Sequence, residues 1–259
     1  MNTLNISPRT LAAVALDSAC SRCAWLTLHF DGKLPYASRI PGIFSSIDSF
    51  TKKAVRNHFD LYRRLPDWFP DVGNVADLAP SRDLQWSRFF REDPETRVRL
   101  QGVPDDILRM ADGATHIVDY KTARLTEAQD DLMPVYEVQL NGYAYIAEAT
   151  GYGPVAHLSL IYFEPQTDPV PEDFPAAMPT PAPHGGLTLV PSPGAEPREQ
   201  GSAWLEFRAR RKEVALQGSQ GIRDLLARAR ALADRADPPP ALVDCENCRS
   251  LAEVWSLLR

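Results

Sequence analysis

The sequence predicts an α/β fold, a central mixed β-sheet flanked by helices, whose two ends come together. Three observations predict it. Helical and strand periodicities alternate along the chain, an Asp112-Gly113 turn signal joins two apolar runs at the centre, and a C-x-x-C pair stands near each end. A hydrophobic fraction of 44% over 259 residues allows a substantial core and argues against disorder throughout. The chain reads as one domain, residues 1–259, with a proline-rich insertion at about 164–198.

The elements follow in order. Ser7-Pro8 is a helix start, a capping hydroxyl before a proline at the first helical position, and Leu11, Val14 and Ala15 continue at helical spacing. A second helix is predicted over Ser46 to Arg64, with Ile47, Phe50, Ala54 and Phe59 or Tyr62 along its buried side. Leu65 to Arg82, rich in Pro, Asp and Gly, reads as loop. Arg97 to Gln101 alternates polar and apolar residues as a half-buried strand does. Ile107 to Met110 and Thr115 to Tyr120 read as strands, and Asp112-Gly113 between them tolerates the positive φ of a hairpin. Pro134 to Thr150 reads as a helix stopped at Gly151, and Ala156 to Phe163 as a strand. Beyond the prolines, a short strand is expected at Leu187 to Val190, an edge strand at Trp204 to Arg208 and a long helix over Glu213 to Arg235.

Chemistry concentrates in the centre. Asp119 and Lys121 are two apart on a strand, so their side chains leave the same face with Ile117, while Val118 and Tyr120 face the other way. Asp105 heads the preceding strand, and the hairpin brings it toward the end of the second. Two carboxylates and an ammonium then converge at a sheet end. Carboxylate oxygens are hard ligands suited to Mg²⁺ or Mn²⁺, and a lysine beside such an ion stabilises developing negative charge. Alone, an Asp-x-Lys pair is an exposed salt bridge and Asp105-Asp106 a turn or helix cap. Their combination with a following helix that carries Gln139 and Tyr143 on one face gives them weight.

Pro104-Asp105 followed by Asp119-Tyr120-Lys121 resembles the signature of the PD-(D/E)XK nuclease superfamily, and Gln139-x-x-x-Tyr143 resembles the extra helix motif of its RecB-like branch. The resemblance implies a restriction-endonuclease-like core. It also implies a metal-dependent DNA nuclease, an exonuclease acting on ends or single strands. Asp105, Asp119 and the Tyr120 carbonyl would hold Mg²⁺ or Mn²⁺, Lys121 would be catalytic, and Gln139 and Tyr143 would support the site and contact substrate. Members usually add a ligand from the first core helix, for which Asp48 and His58 are the candidates. Ten residues apart, these two sit about 80° around and about 15 Å along a helix, so one ion cannot take both. Asp48 is the preferred one, although its i,i+4 spacing from Lys52 also suits a surface ion pair. A catalytically inactive DNA-binding or assembly module with the same fold is the alternative function. DNA is the implied partner, with protein partners in DNA repair, recombination or defence.

Cys20 and Cys23 at one end and Cys245 and Cys248 at the other supply four thiolates, enough for a tetrahedral zinc or a [4Fe-4S] cluster. CRISPR-associated relatives of the RecB-like branch carry such a cluster, with one cysteine at the start and three at the end. The resemblance therefore implies a [4Fe-4S] cluster, and structural Zn²⁺ is the alternative. The start of the chain shows no basic leader with an apolar core, so cytoplasmic location without disulfides is the expectation. A net charge of -6 argues against a protein that coats nucleic acid by charge alone. Two local basic rims stand out as candidates: Lys52, Lys53, Arg56, Arg63 and Arg64, then Arg208, Arg210, Arg211 and Lys212.

Overall fold

The computed structural model describes residues 2–30, 41–166, 186–187 and 206–257. After β1 (Leu4–Ile6), the Ser7 hydroxyl accepts the Thr10 N–H at 3.0 Å and so caps α1 (Pro8–Ala15). α2 (Ser21–His29) starts directly after Cys20, and α3 (Gly42–Tyr62) begins earlier than the expected Ser46. Then come β2 (Val75–Leu78), β3 (Phe90–Glu92), β4 (Val98–Gln101), β5 (Asp106–Met110), β6 (Thr115–Lys121), α4 (Glu127–Asp130) and α5 (Met133–Ala149). β7 (Val155–Pro165), β8 (Gly186–Leu187), β9 (Phe207–Val214), α6 (Ser219–Ala233) and α7 (Glu246–Leu257) complete the order.

The main sheet runs β2-β5-β6-β7-β9-β8. Within this sheet, among the described residues, β6 and β7 are the one parallel pair, as the crossover through α5 requires, and the other pairings are antiparallel. A smaller sheet, β1-β4-β3, lies apart from it in hydrogen bonding. One face of the main sheet packs on α1, α5 and α6 through Ile117, Leu158, Leu160 and Tyr162. The other meets α3 through Val118, Tyr120, Ile161 and Phe163, which pack with Val55 and Phe59. β6 is thus covered on both sides, which suits the near-continuous apolar run of a central strand.

Several expectations are corrected. The segment 65–82 contains β2, a short strand added to β5. The buried stripe of α3 runs through Thr51, Val55 and Phe59, while Phe50 and Tyr62 are exposed. Basic and acidic positions explain that rotation, because Lys52 and Arg56 must reach Asp105 and Asp106. Glu213 and Val214 belong to β9 and not to a helix. β9 sits between β7 and β8, so it is not an edge among the described residues. Gly186–Leu187 pairs with β9, whereas Trp204 and most of the 164–198 segment lie outside the described residues. No described helix is long and apolar enough to cross a membrane.

α5 is buried along most of its length because α1 closes over it. The contact needs Gly142: a Cβ there would lie 2.8 Å from Pro8 Cβ and 3.2 Å from Pro8 Cγ. A proline ring at a helix start cannot turn aside. Gly142→Val is expected to destabilise the protein by about 2 kcal/mol or more, read as a lower urea midpoint with unchanged slope. An unchanged midpoint would show that α1 can shift.

Candidate active site

Strand parity and the crossover helix build one end of the sheet. Asp119 and Lys121 leave β6 on the α5 side, and the Lys121 ammonium lies 2.5 Å from Asp119 Oδ2. Gln139 Nε2 donates to Asp119 Oδ1 at 3.0 Å and to the Tyr143 hydroxyl at 3.3 Å. Helical spacing also puts Tyr136 on this face, and its ring centroid lies 4.3 Å from Lys121 Nζ. Sequence reasoning missed Tyr136. Its i,i+3 spacing from Gln139 was the available signal.

Asp105 arrives from the residue before β5. Its Oδ2 accepts the Tyr120 backbone N–H at 2.7 Å, and its Oδ1 lies 2.6 Å from Lys52 Nζ. The same ammonium holds Asp48 Oδ2 at 2.7 Å. Asp48 therefore approaches the pair through Lys52 and not directly. His58 stands nearer the helix end, where Nδ1 bonds the Arg64 carbonyl at 3.0 Å, and it takes no part. Beneath the site, Tyr120 sends its ring to the α3 face and donates its hydroxyl to Asp106 Oδ2 at 2.7 Å, while the Arg56 guanidinium pairs with Asp106 Oδ1.

The electrostatics favour a cation. Burial, followed by the Asp119 charge, pushes the Asp105 carboxyl up to about 7, although Lys52 and the Tyr120 N–H pull the other way. Burial draws the Lys52 ammonium down, but Asp105 and Asp48 outweigh it and hold it above its ordinary value. Burial and Asp119 raise the Tyr143 phenol, which stays a neutral donor. Gln139 Oε1 is a buried acceptor with no partner. Hard oxygen donors, mutual carboxylate repulsion and an unfilled acceptor fit a hydrated Mg²⁺ or Mn²⁺ held by Asp105 and Asp119. A cavity of about 440 Å³ lined by Met110, Asp112, His116 and Arg211 contains none of these residues, as it opens at the hairpin end of the sheet.

The two proposed basic rims are largely spent on carboxylates. Arg63 pairs with Asp77, Arg64 with Asp67, Arg210 with Glu164 and Lys212 with Asp130. Arg211 reaches the Asp71 carbonyl and Glu213.

The cysteines do meet. Cys20 caps α2 and Cys23 lies in its first turn, and Cys245 and Cys248 stand in the same relation to α7. All four sulfurs lie within 4.8 Å of one another and could hold a metal. Arg22 Nε donates to the Pro239 carbonyl at 3.1 Å and Trp25 Nε1 to that of Arg235 at 3.0 Å, which ties the ends further. Burial raises the Cys20 thiol, but backbone N–H groups of Cys23 and Leu242 outweigh it and bring it to about 6.

A mixed sheet with a parallel crossover and a carboxylate–lysine cluster at the strand end defines a nuclease-like α/β protein. A family model of the PD-(D/E)XK nuclease superfamily matches residues 12–251, and the chain belongs to that superfamily. Members are usually metal-dependent nucleases. No curated protein matches the chain.

Proposed function

We propose that the protein is a Mg²⁺- or Mn²⁺-dependent deoxyribonuclease acting on DNA ends or single strands, the activity of the RecB-like branch its motifs resemble. The observation that carries this reading is the meeting of two largely buried carboxylates, Asp105 and Asp119, with the Lys121 ammonium 2.5 Å from the latter. Asp105 and Asp119 would hold the ion, with the Tyr120 carbonyl as a further donor, while Asp48 reaches the pair only through Lys52. When bound, the ion lowers the pKa of water and stabilises charge on a phosphate oxygen. Lys121 donates N–H to the phosphate oxygens as charge builds on them. Gln139 fixes the Asp119 carboxylate through Oδ1, and Tyr143 keeps its proton and stands as a donor beside it.

End-labelled single- and double-stranded DNA tests this. Label should be released with Mn²⁺ or Mg²⁺ and retained in EDTA. Binding without cleavage under every metal condition would overturn the enzyme reading in favour of a DNA-binding module.

Asp105 also sets a pH dependence. Its folded value is raised to about 7, so the metal-free protein binds its proton more tightly than the unfolded chain does. That contribution stabilises the fold below the ordinary carboxylate value of about 4, and it is lost as pH rises to about 7. An ion must displace this proton. Apparent Mn²⁺ affinity is therefore expected to rise about tenfold per pH unit below 7 and to level off above it. Calorimetric titrations between pH 6 and pH 8 check this, and a flat profile would remove Asp105 from the ligand set.

A further inference from the structure

We infer that the four cysteines hold a single tetrahedral zinc ion and not the [4Fe-4S] cluster that the RecB-like resemblance implies. The inference concerns a different site from the carboxylates and stands whether or not the protein cuts DNA.

The sulfur separations carry it. Cys20 Sγ lies 3.7 Å from Cys248 Sγ, and Cys23 Sγ lies 3.5 Å from Cys245 Sγ and 3.4 Å from Cys248 Sγ. One tetrahedral ion with metal–sulfur bonds of about 2.3 Å spaces its ligand sulfurs about 3.8 Å apart. A cubane binds each thiolate to a different iron, which spreads the sulfurs to about 6 Å. Here all four sulfurs fall within 4.8 Å of one another. The space they enclose admits one ion, and a cluster would force two helices apart.

The backbone supports the same geometry. Cys20 and Cys245 each precede the first turn of a helix, and the second cysteine of each pair lies within that turn. Two equivalent C-x-x-C hooks thus face each other, each presenting thiolates at the positive end of a helix. The Leu242 N–H donates to Cys20 Sγ at 3.3 Å, a bond that spreads the negative charge of a tetrathiolate site. An even two-and-two division, with both ends of the chain supplying one hook, suits a closed structural centre that clips termini together. It also departs from the one-and-three division of the iron–sulfur relatives.

Purification of the full chain under anaerobic conditions from iron-replete cells tests the inference. Elemental analysis should find one zinc per chain in colourless protein. Replacement by Co²⁺ should give the intense visible bands of a tetrahedral thiolate, lost in Cys20→Ser/Cys245→Ser. Brown protein with iron and acid-labile sulfide in equal amounts would overturn the inference. So would one iron without sulfide, or metal-free protein with four freely reactive thiols. The carboxylate site does not enter any of these readouts.

Discussion

Lys121→Ala is expected to lower the rate of DNA cleavage by about 10² to 10³ while the protein still binds Mn²⁺. The side chain occupies the strand end beside Asp119 and under the Tyr136 ring, whereas the other ammonium of the cluster, Lys52, is held by Asp105 and Asp48. Alanine removes the donor that would meet the phosphate. It does not remove a metal ligand. Without the ammonium, Asp105 and Asp119 face one another with less compensation, so their demand for a cation increases. Mn²⁺ affinity should hold or tighten as turnover collapses. Asp119→Asn should do the opposite to affinity, weakening it strongly. Lys121 is largely buried beside Asp119, so its removal also costs stability, and the urea midpoint of Lys121→Ala is measured beside cleavage and Mn²⁺ binding. Single-turnover cleavage and Mn²⁺ titration on the same preparations separate the two effects. Cleavage at the wild-type rate, or loss of Mn²⁺ binding in Lys121→Ala, would exclude the role assigned to this residue.

The legible parts of the molecule are those governed by local periodicity. A period of two put Asp119 and Lys121 on one face of β6 and Val118 and Tyr120 on the other, and the structure keeps that division. Residues i and i+4 on α5 brought Gln139 and Tyr143 together. The cysteine pairs were visible because two matched spacings rarely coincide. What stayed hidden depends on partners distant in sequence. β2 is four residues long, half polar in its exposure, and is a strand only because β5 lends it hydrogen bonds. β9 reads FRARRKEV, which looks like a basic helix until β7 pairs along it. Lys52 and Arg56 looked like a rim for nucleic acid, and no local rule ties a helix cation to a carboxylate on a strand some fifty residues later. Their true assignment turns α3 so that its charged side faces the sheet, which is why the predicted stripe was misplaced at Phe50.

Arg56→Met should cost about 3–5 kcal/mol at pH 8, the largest stability loss expected of any surface-reaching residue here. Asp106 is fully buried, and burial raises its carboxyl, while Arg56 and the Tyr120 hydroxyl pull it back toward ionisation. Removing the guanidinium leaves a carboxylate with one hydrogen bond in an apolar layer and strands the Ala79 carbonyl that Arg56 Nη1 had bonded at 3.0 Å. The sign of its pH dependence follows. An acid whose folded value is raised loses stability as pH climbs from the ordinary carboxylate range to that raised value. In Arg56→Met the raised value moves higher, so the deficit grows across the neutral range and shrinks in acid, where protonation discharges Asp106. The double variant Arg56→Met/Asp106→Asn should recover much of the loss at pH 8, because neither partner then carries a buried charge. Urea unfolding of the wild type, Arg56→Met, Asp106→Asn and the double variant at pH 5 and pH 8 measures this directly. An equal loss at both pH values would mean that packing, not charge, sets the cost. Function should follow stability, since this pair fixes the backbone that carries Asp105 on one side and Tyr120, between Asp119 and Lys121, on the other. Arg56→Met should therefore weaken Mn²⁺ binding even where the protein remains folded, and the double variant should restore it.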